Sequence, residues 1–194
     1  TRARLIDTVT QQDIGEFSRE NLFEPLGMRC TRFNPPDSWH SDIAATELVD
    51  GTPLRGAVHD PLARLMGGLS GNAGLFSTAT DLSIFCRMLL NGGTWKGRRI
   101  LSERAVRMLT TPRSHGRAFG FDVASGYSWI KGPAPEQAFC HSGYTGTSLV
   151  CDPTNGLYLI ILTNRVHPND EGSCKGIRQR LAKIVFGPPQ QDET

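Results

Sequence analysis

The residues best suited to chemistry stand together at Phe139-Cys140-His141-Ser142-Gly143-Tyr144-Thr145-Gly146-Thr147, where one predicted strand turns into the next. An imidazole, several hydroxyls and two glycines occupy this short stretch. A glycine at 143 admits a second backbone or a ligand at close range, and N–H groups at a strand end can polarise a carbonyl. An ordinary hairpin with a surface histidine accounts for the same residues equally well, because lone histidines are more often structural than catalytic.

Three other places invite a chemical reading. Residues 67–74, Gly-Gly-Leu-Ser-Gly-Asn-Ala-Gly, precede a helix signature, as a phosphate cradle would. No Gly-Lys-Ser or Gly-Lys-Thr and no parallel strand accompany them, so a tight turn packed on the helix is the better expectation. His59-Asp60 has no ligand geometry by itself, and Asp60 is read as the N-cap of a short helix. The Ser-x-x-Lys match at Ser128 to Lys131 lies between Gly126 and the run Gly132-Pro133-Ala134-Pro135. Such flanks break a helix, so the spacing is taken as coincidence. His40, His115 and His167 are assigned no role.

The elements that must position these residues follow from periodicity and caps. Thr10 and Asp13 before Ile14, Phe17 and Leu22 predict an N-capped amphipathic helix closed by Pro25 and Gly27. Cys30 to Pro61, with four prolines and little periodicity, reads as a long irregular excursion holding a short strand or two; loops of that length usually serve or cover a site. Thr78 and Asp81 form a helix start close to a capping box, followed by Leu82, Phe85, Cys86, Leu89 and Leu90 at helical spacing and the stop Asn91-Gly92-Gly93. A further helix runs from Ser102 as N-cap to Pro112.

Strand patterns follow at Phe119–Val123, Tyr127–Ile130, Phe139–Ser142, Thr147–Cys151 and Leu157–Thr163. Leu157 to Leu162 is apolar without alternation, which requires cover on both faces of the sheet. A last helix spans Lys175 to Phe186, with Ile177, Leu181, Ile184 and Val185 along one stripe. The order predicts an α+β fold in one domain over 1–194: helices and loops to 112, antiparallel strands from 113 to 168, and a C-terminal helix within 170–187.

Bulk composition narrows the partners. The 194 residues carry 21 basic and 19 acidic side chains without long runs of one sign, so nothing marks a nucleic-acid surface. Five cysteines, widely spaced and without Cys-x-x-Cys, indicate neither a disulfide framework nor a zinc site, and most are expected as small buried apolar residues. No apolar run approaches the length of a membrane span.

His141-Ser142-Gly143 with the following Tyr-Thr-Gly-Thr-Ser-Leu-Val-Cys-Asp-Pro, and Thr163-Asn-Arg-Val-His-Pro168, resemble the third-motif strand of serine β-lactamase-like enzymes and penicillin-binding proteins. There Lys-Thr-Gly or His-Thr-Gly fills this place. Phe23-Glu-Pro-Leu-Gly-Met28, Val58-His-Asp60 and the segment from Gly67-Gly68 to Asp81-Leu82 agree, in the same order, over nearly the whole chain.

The resemblance implies a β-lactamase/transpeptidase-like fold and a metal-independent serine hydrolase, without cofactor, acting through an acyl-enzyme on a β-lactam, a D-amino-acid peptide or an ester. It implies that His141 faces the acyl site and offers hydrogen bonding or positive potential to a substrate anion. Ser142 then hydrogen-bonds substrate, Gly143 keeps the strand edge open, and the Tyr144 N–H is one oxyanion donor. The family's Ser-x-x-Lys helix and Tyr-x-Asn motif precede the segment with which this chain starts. The chain is therefore expected to be a C-terminal portion, inactive alone, that needs an N-terminal companion segment or dimerises through an exposed sheet edge. An exported bacterial enzyme is the expected setting, and a non-catalytic binding domain that reuses the fold is the alternative.

Overall fold

The computed structural model describes residues 2–125, 128–130 and 132–187. Helix α1 (Arg2–Thr10) opens the chain. Thr10 closes it, its hydroxyl donating to the Ile6 carbonyl at 2.8 Å, so Thr10 does not begin the next helix as its type and place suggested. That role belongs to Asp13, whose carboxylate accepts the Glu16 N–H at 2.9 Å and starts α2 (Ile14–Ser18). The chain continues through a π-helical turn (Arg19–Phe23) into α3 (Glu24–Leu26). Pro25 is accommodated in the first turn of α3, where no N–H is required, and Gly27 in the left-handed region ends it.

The excursion from Cys30 contains β1 (Arg32–Phe33), a 3₁₀ turn (Asp37–Asp42), and the hairpin of β2 (Leu48–Val49) and β3 (Thr52–Pro53). Asp60 caps α4 (Pro61–Leu65), accepting the Ala63 N–H at 2.7 Å. The glycine-rich stretch is the expected tight turn: Gly68 takes φ +80°, and a side chain there would overlap Asn34, whose amide donates to the Gly67 carbonyl at 2.8 Å. It delivers the chain to β4 (Leu75–Phe76), which pairs with β1.

Thr78 caps α5 (Ala79–Leu90), its hydroxyl accepting the Asp81 N–H. The reciprocal half of a capping box is replaced by a long-range tie. The buried Asp81 carboxylate accepts the Cys30 N–H at 2.8 Å and the Thr31 hydroxyl at 2.7 Å, which pins the start of the excursion to the start of α5. A short hairpin of β5 (Thr94–Trp95) and β6 (Arg98–Arg99) and the Ser102-capped α6 (Glu103–Thr110) complete this region.

The principal sheet is an antiparallel meander of β7 (Phe139–Ser142), β8 (Thr147–Asp152) and β9 (Leu157–Leu162) in the order β7-β8-β9. Its two faces explain the unbroken apolar run of β9. Phe139, Leu149, Cys151, Tyr158 and Ile160 pack toward Cys86, Met88 and Leu89 of α5. Cys140, Val150, Leu159 and Ile161 pack toward Leu181, Ala182 and Phe186 of α7 (Lys175–Phe186). Each pleat face thus has its own helix, and both residue sets must be apolar.

Two of the expected strands do not form. Over 119–123 the backbone is satisfied locally: the Ala118 N–H bonds the Phe121 carbonyl, and the N–H groups of Val123 and Ala124 both bond that of Gly116. With those groups spent in turns, only Asp122 is left to bridge the sheet, opposite Cys140. Of 127–130, Tyr127 lies outside the described residues. Ser128 to Ile130 form a turn that buries Trp129 and Ile130 under α7, and no helix passes through them. Lys131, the end of the Ser-x-x-Lys match, also lies outside the described residues.

Candidate active site

The site is the outer edge of β7 and the turn that leaves it. Cys140 exchanges both backbone hydrogen bonds with Asp122, at 2.9 and 2.7 Å. The backbone groups of Cys140 therefore point away from β8, and by the two-residue alternation those of Ser142 point the same way. Gly143 faces inward, its N–H bonding the Thr147 carbonyl at 2.7 Å. Among the described residues, nothing pairs with the outward N–H and carbonyl of Ser142 or with the N–H of Tyr144. A strand edge with one accepting and two donating groups unpaired can take an extended ligand backbone and direct an N–H at a carbonyl oxygen.

His141, Ser142, Gly143 and Tyr144 are thus contiguous at this edge, with different surroundings. His141 lies on the α5 side of the sheet and remains solvent-accessible. Its pKa is nonetheless held below the usual histidine range, by loss of water around the ring first and by the Arg117 guanidinium second, with the Asp122 carboxylate opposing. The lowered pKa favours the neutral, hydrogen-bonding form of the ring over the charged one. Ser142 is exposed on the α7 side. A side chain at Gly143 would overlap the Thr147 hydroxyl unless that hydroxyl turned away, so glycine suits this turn. Arg178 of α7 adds to this turn, donating to the carbonyls of Thr147 at 3.0 Å and Gly143 at 3.3 Å.

Tyr144 is held from several directions although the residue is 63% exposed. Its hydroxyl donates to the Asp170 carboxylate, and that bond is the main reason its pKa is raised. Arg165 stands 4.5 Å from the ring centroid, donates to the Tyr144 carbonyl at 2.8 Å and pairs with Asp170 at 2.7 Å. The His59 ring stacks on that of Tyr144 at 5.7 Å, with Glu47 3.5 Å from its Nε2. Sequence reasoning gave none of these four neighbours a role, although Val58-His-Asp60 and Thr163 to Pro168 are among the segments that carry the resemblance.

The excursion reaches the site because it is tied to the segment that follows β9. His167 Nδ1 lies 2.7 Å from the Thr46 carbonyl, the Leu48 N–H donates to the Pro168 carbonyl at 3.0 Å, and Asn164 donates to the Ala45 carbonyl. His167 is accordingly structural. The buried thiols are not candidates for chemistry: burial pushes Cys140 up to about 12, and Cys151 is also raised, chiefly by its neighbour Cys86 and then by burial. No cluster of metal-ligating side chains occurs among the described residues.

The antiparallel meander with a helix on each face and an open edge at its histidine strand is in keeping with a β-lactamase/transpeptidase-like fold. The Beta-lactamase family profile matches residues 3–183, and the chain belongs to that family. It is 33% identical over 184 residues to a putative D-alanyl-D-alanine carboxypeptidase of Escherichia coli (strain K12), covering 84% of this chain and 42% of that protein. An N-acetylmuramyl-L-alanine amidase of Bacillus subtilis (strain 168) is 29% identical with the same coverage. Among solved structures, EstCE1, a hydrolase with promiscuous acyltransferase activity, superposes with a TM-score of 0.68 at 19% identity over 95% of this chain and 54% of that one. The chain spans about two fifths of the length of these curated relatives. No helix among the described residues is long and apolar enough to cross a membrane.

Proposed function

We propose that this chain supplies the strand wall of a serine acyl-transfer site, and that the complete gene product hydrolyses a β-lactam, a D-amino-acid peptide or an ester through an acyl-enzyme. The observation that carries this reading is the edge of β7, closed at Cys140 by Asp122 and open at Ser142 and Tyr144. The Tyr144 N–H is one oxyanion donor, Ser142 hydrogen-bonds the substrate, Gly143 sets the turn that aims the Tyr144 N–H, and His141 contributes a hydrogen bond beside the reacting carbonyl. The names of the sequence relatives favour amide bonds to alanine within the three substrate classes.

The nucleophile is assigned to polypeptide outside these 194 residues, because the sequence has no Tyr-x-Asn and its one Ser-x-x-Lys carries no helix at Ser128 to Ile130. On this reading the 194-residue chain alone is inactive and needs the companion segment. Leu157 and Leu162 on β9 and Ile184 on α7, all exposed, are where that segment or a second copy of the chain would pack. An exported, cell-envelope location in a bacterium accompanies the proposal.

Labelling with a fluorescent penicillin and a fluorophosphonate tests it. The complete gene product is expected to label once, at a serine outside this chain, and the purified 194-residue chain not at all. A label on a serine of this chain would overturn the assignment of the nucleophile. Absence of labelling and of turnover by the complete gene product would favour a binding domain instead.

A further inference from the structure

His59 comes to the site from the excursion, far from Tyr144 in sequence. Its side chain is 12% exposed, and its ring lies 5.7 Å from the Tyr144 ring at an interplanar angle of 23°. Nε2 is buried and, among the described residues, has no hydrogen-bond partner; the nearest charge is Glu47 Oε2 at 3.5 Å. Glu47 belongs to the segment entering the β2–β3 hairpin, which the contacts of Ala45, Thr46 and Leu48 fasten to residues 164–168.

Tyr144 needs such support. It follows a glycine, most of its surface is in solvent, and no apolar core surrounds it. The hydroxyl is taken by Asp170, the carbonyl by Arg165 and the ring by His59, so the backbone N–H is the one polar group of the residue left without a partner among the described residues. An oxyanion donor contributes to rate only when its direction is set before the charge develops. A flat ring stacked on another resists the rotation about the Gly143–Tyr144 backbone that would swing this N–H away.

We infer that His59 is a positioning residue for the proposed acyl transfer, holding the Tyr144 N–H in its donating direction through the ring stack. The inference rests on the functional reading above. It differs from a packing role in what it predicts: ring shape at 59 controls turnover and the Tyr144 amide, and substrate affinity is little affected.

The test uses the complete gene product with His59→Ala, His59→Phe and His59→Leu. Turnover is followed with p-nitrophenyl butyrate or a chromogenic cephalosporin, whichever the wild type hydrolyses. His59→Ala is expected to lower kcat about tenfold with KM within about twofold, since it loosens a donor without removing it. His59→Phe, which keeps a flat ring, restores most of kcat, and His59→Leu, of similar bulk, does not. With ¹⁵N-tyrosine labelling, the amide resonance missing from Tyr144→Phe shifts and broadens in the Ala and Leu variants and stays in place in Phe.

Equal kcat in Phe and Leu, or a Tyr144 resonance unmoved in Leu, overturns the inference, and both comparisons stand if the Ala variant fails to fold. A wild type that hydrolyses neither of these substrates nor a D-alanyl-D-alanine peptide overturns the functional reading instead, and the amide resonance then decides whether His59 positions Tyr144.

Discussion

Asp122 and Cys140 exchange both backbone hydrogen bonds, and this single bridge decides where the edge of β7 is closed and where it is open. Asp122 is fixed in turn by its own side chain, which accepts the Ser125 N–H at 3.1 Å and the Ser125 hydroxyl at 2.7 Å in a buried setting.

Replacing Asp122 by Ala removes both of those bonds and leaves the Ser125 N–H buried without an acceptor. A loss of about 3 kcal/mol is expected, read from the midpoint of a urea melt, because hydrogen bonds to a charged acceptor contribute more than neutral ones. Asp122→Asn keeps the shape and one acceptor and costs about 1 kcal/mol. An Ala variant within about 0.5 kcal/mol of wild type would show that the bridge does not depend on this carboxylate.

His141 should titrate below the usual histidine range in an NMR experiment. The sign for stability follows from the lowered pKa. Well above about 6.5 the ring is neutral in both states, and as pH falls through that value the unfolded chain takes up protons that the folded chain resists, so stability is lost as pH falls. His141→Gln should flatten that part of the pH dependence. Arg117→Ala should move the His141 pKa upward by removing the nearby cation. A His141 that titrates above 6.5 would contradict the loss of water and the Arg117 proximity described for it.

Asp81 and Thr78 separate a local cap from a tertiary tie. Thr78→Ala removes one bond at the helix start and should cost about 1 kcal/mol. Asp81→Ala keeps the capped backbone N–H but frees the Cys30 N–H and the Thr31 hydroxyl from the carboxylate, and a loss of about 3 kcal/mol is expected with faster proteolysis between Cys30 and Pro61. If denaturant melts place the two variants together, the tie is not contributing.

Of the five cysteines, Cys30 is exposed and the others are buried, so one thiol should react rapidly with a disulfide reagent in the native chain and five after unfolding. Native Cys30→Ser should then show almost no fast phase. Rapid reaction of a second thiol would mean that the core around Cys86, Cys140 and Cys151 opens more readily than its packing indicates.

Most helix starts were legible because a cap is a local event. Thr78, Ser102 and Asp60 each bond an N–H three residues ahead, so residue type and spacing suffice. Asp13 follows the same rule and was obscured by Thr10 just before it. The apolar run Leu157 to Leu162 also carried its own consequence, since a strand without alternation must be covered twice. The residues His141 to Tyr144 could be picked out by type and by family resemblance.

The sequence by itself therefore determined the family, the local starts of helices, and the strand on which the candidate site is built. Only the tertiary structure decided that Phe119–Val123 would spend its backbone bonds on turns and bridge β7 at one residue, that Asp81 would reach Cys30 and Thr31, and that His59 would stack on Tyr144. The Asp122–Cys140 bridge, the Asp81 tie and the His59 stack each depend on which distant groups chain closure brings within bonding range, and neither periodicity nor residue type encodes that distance.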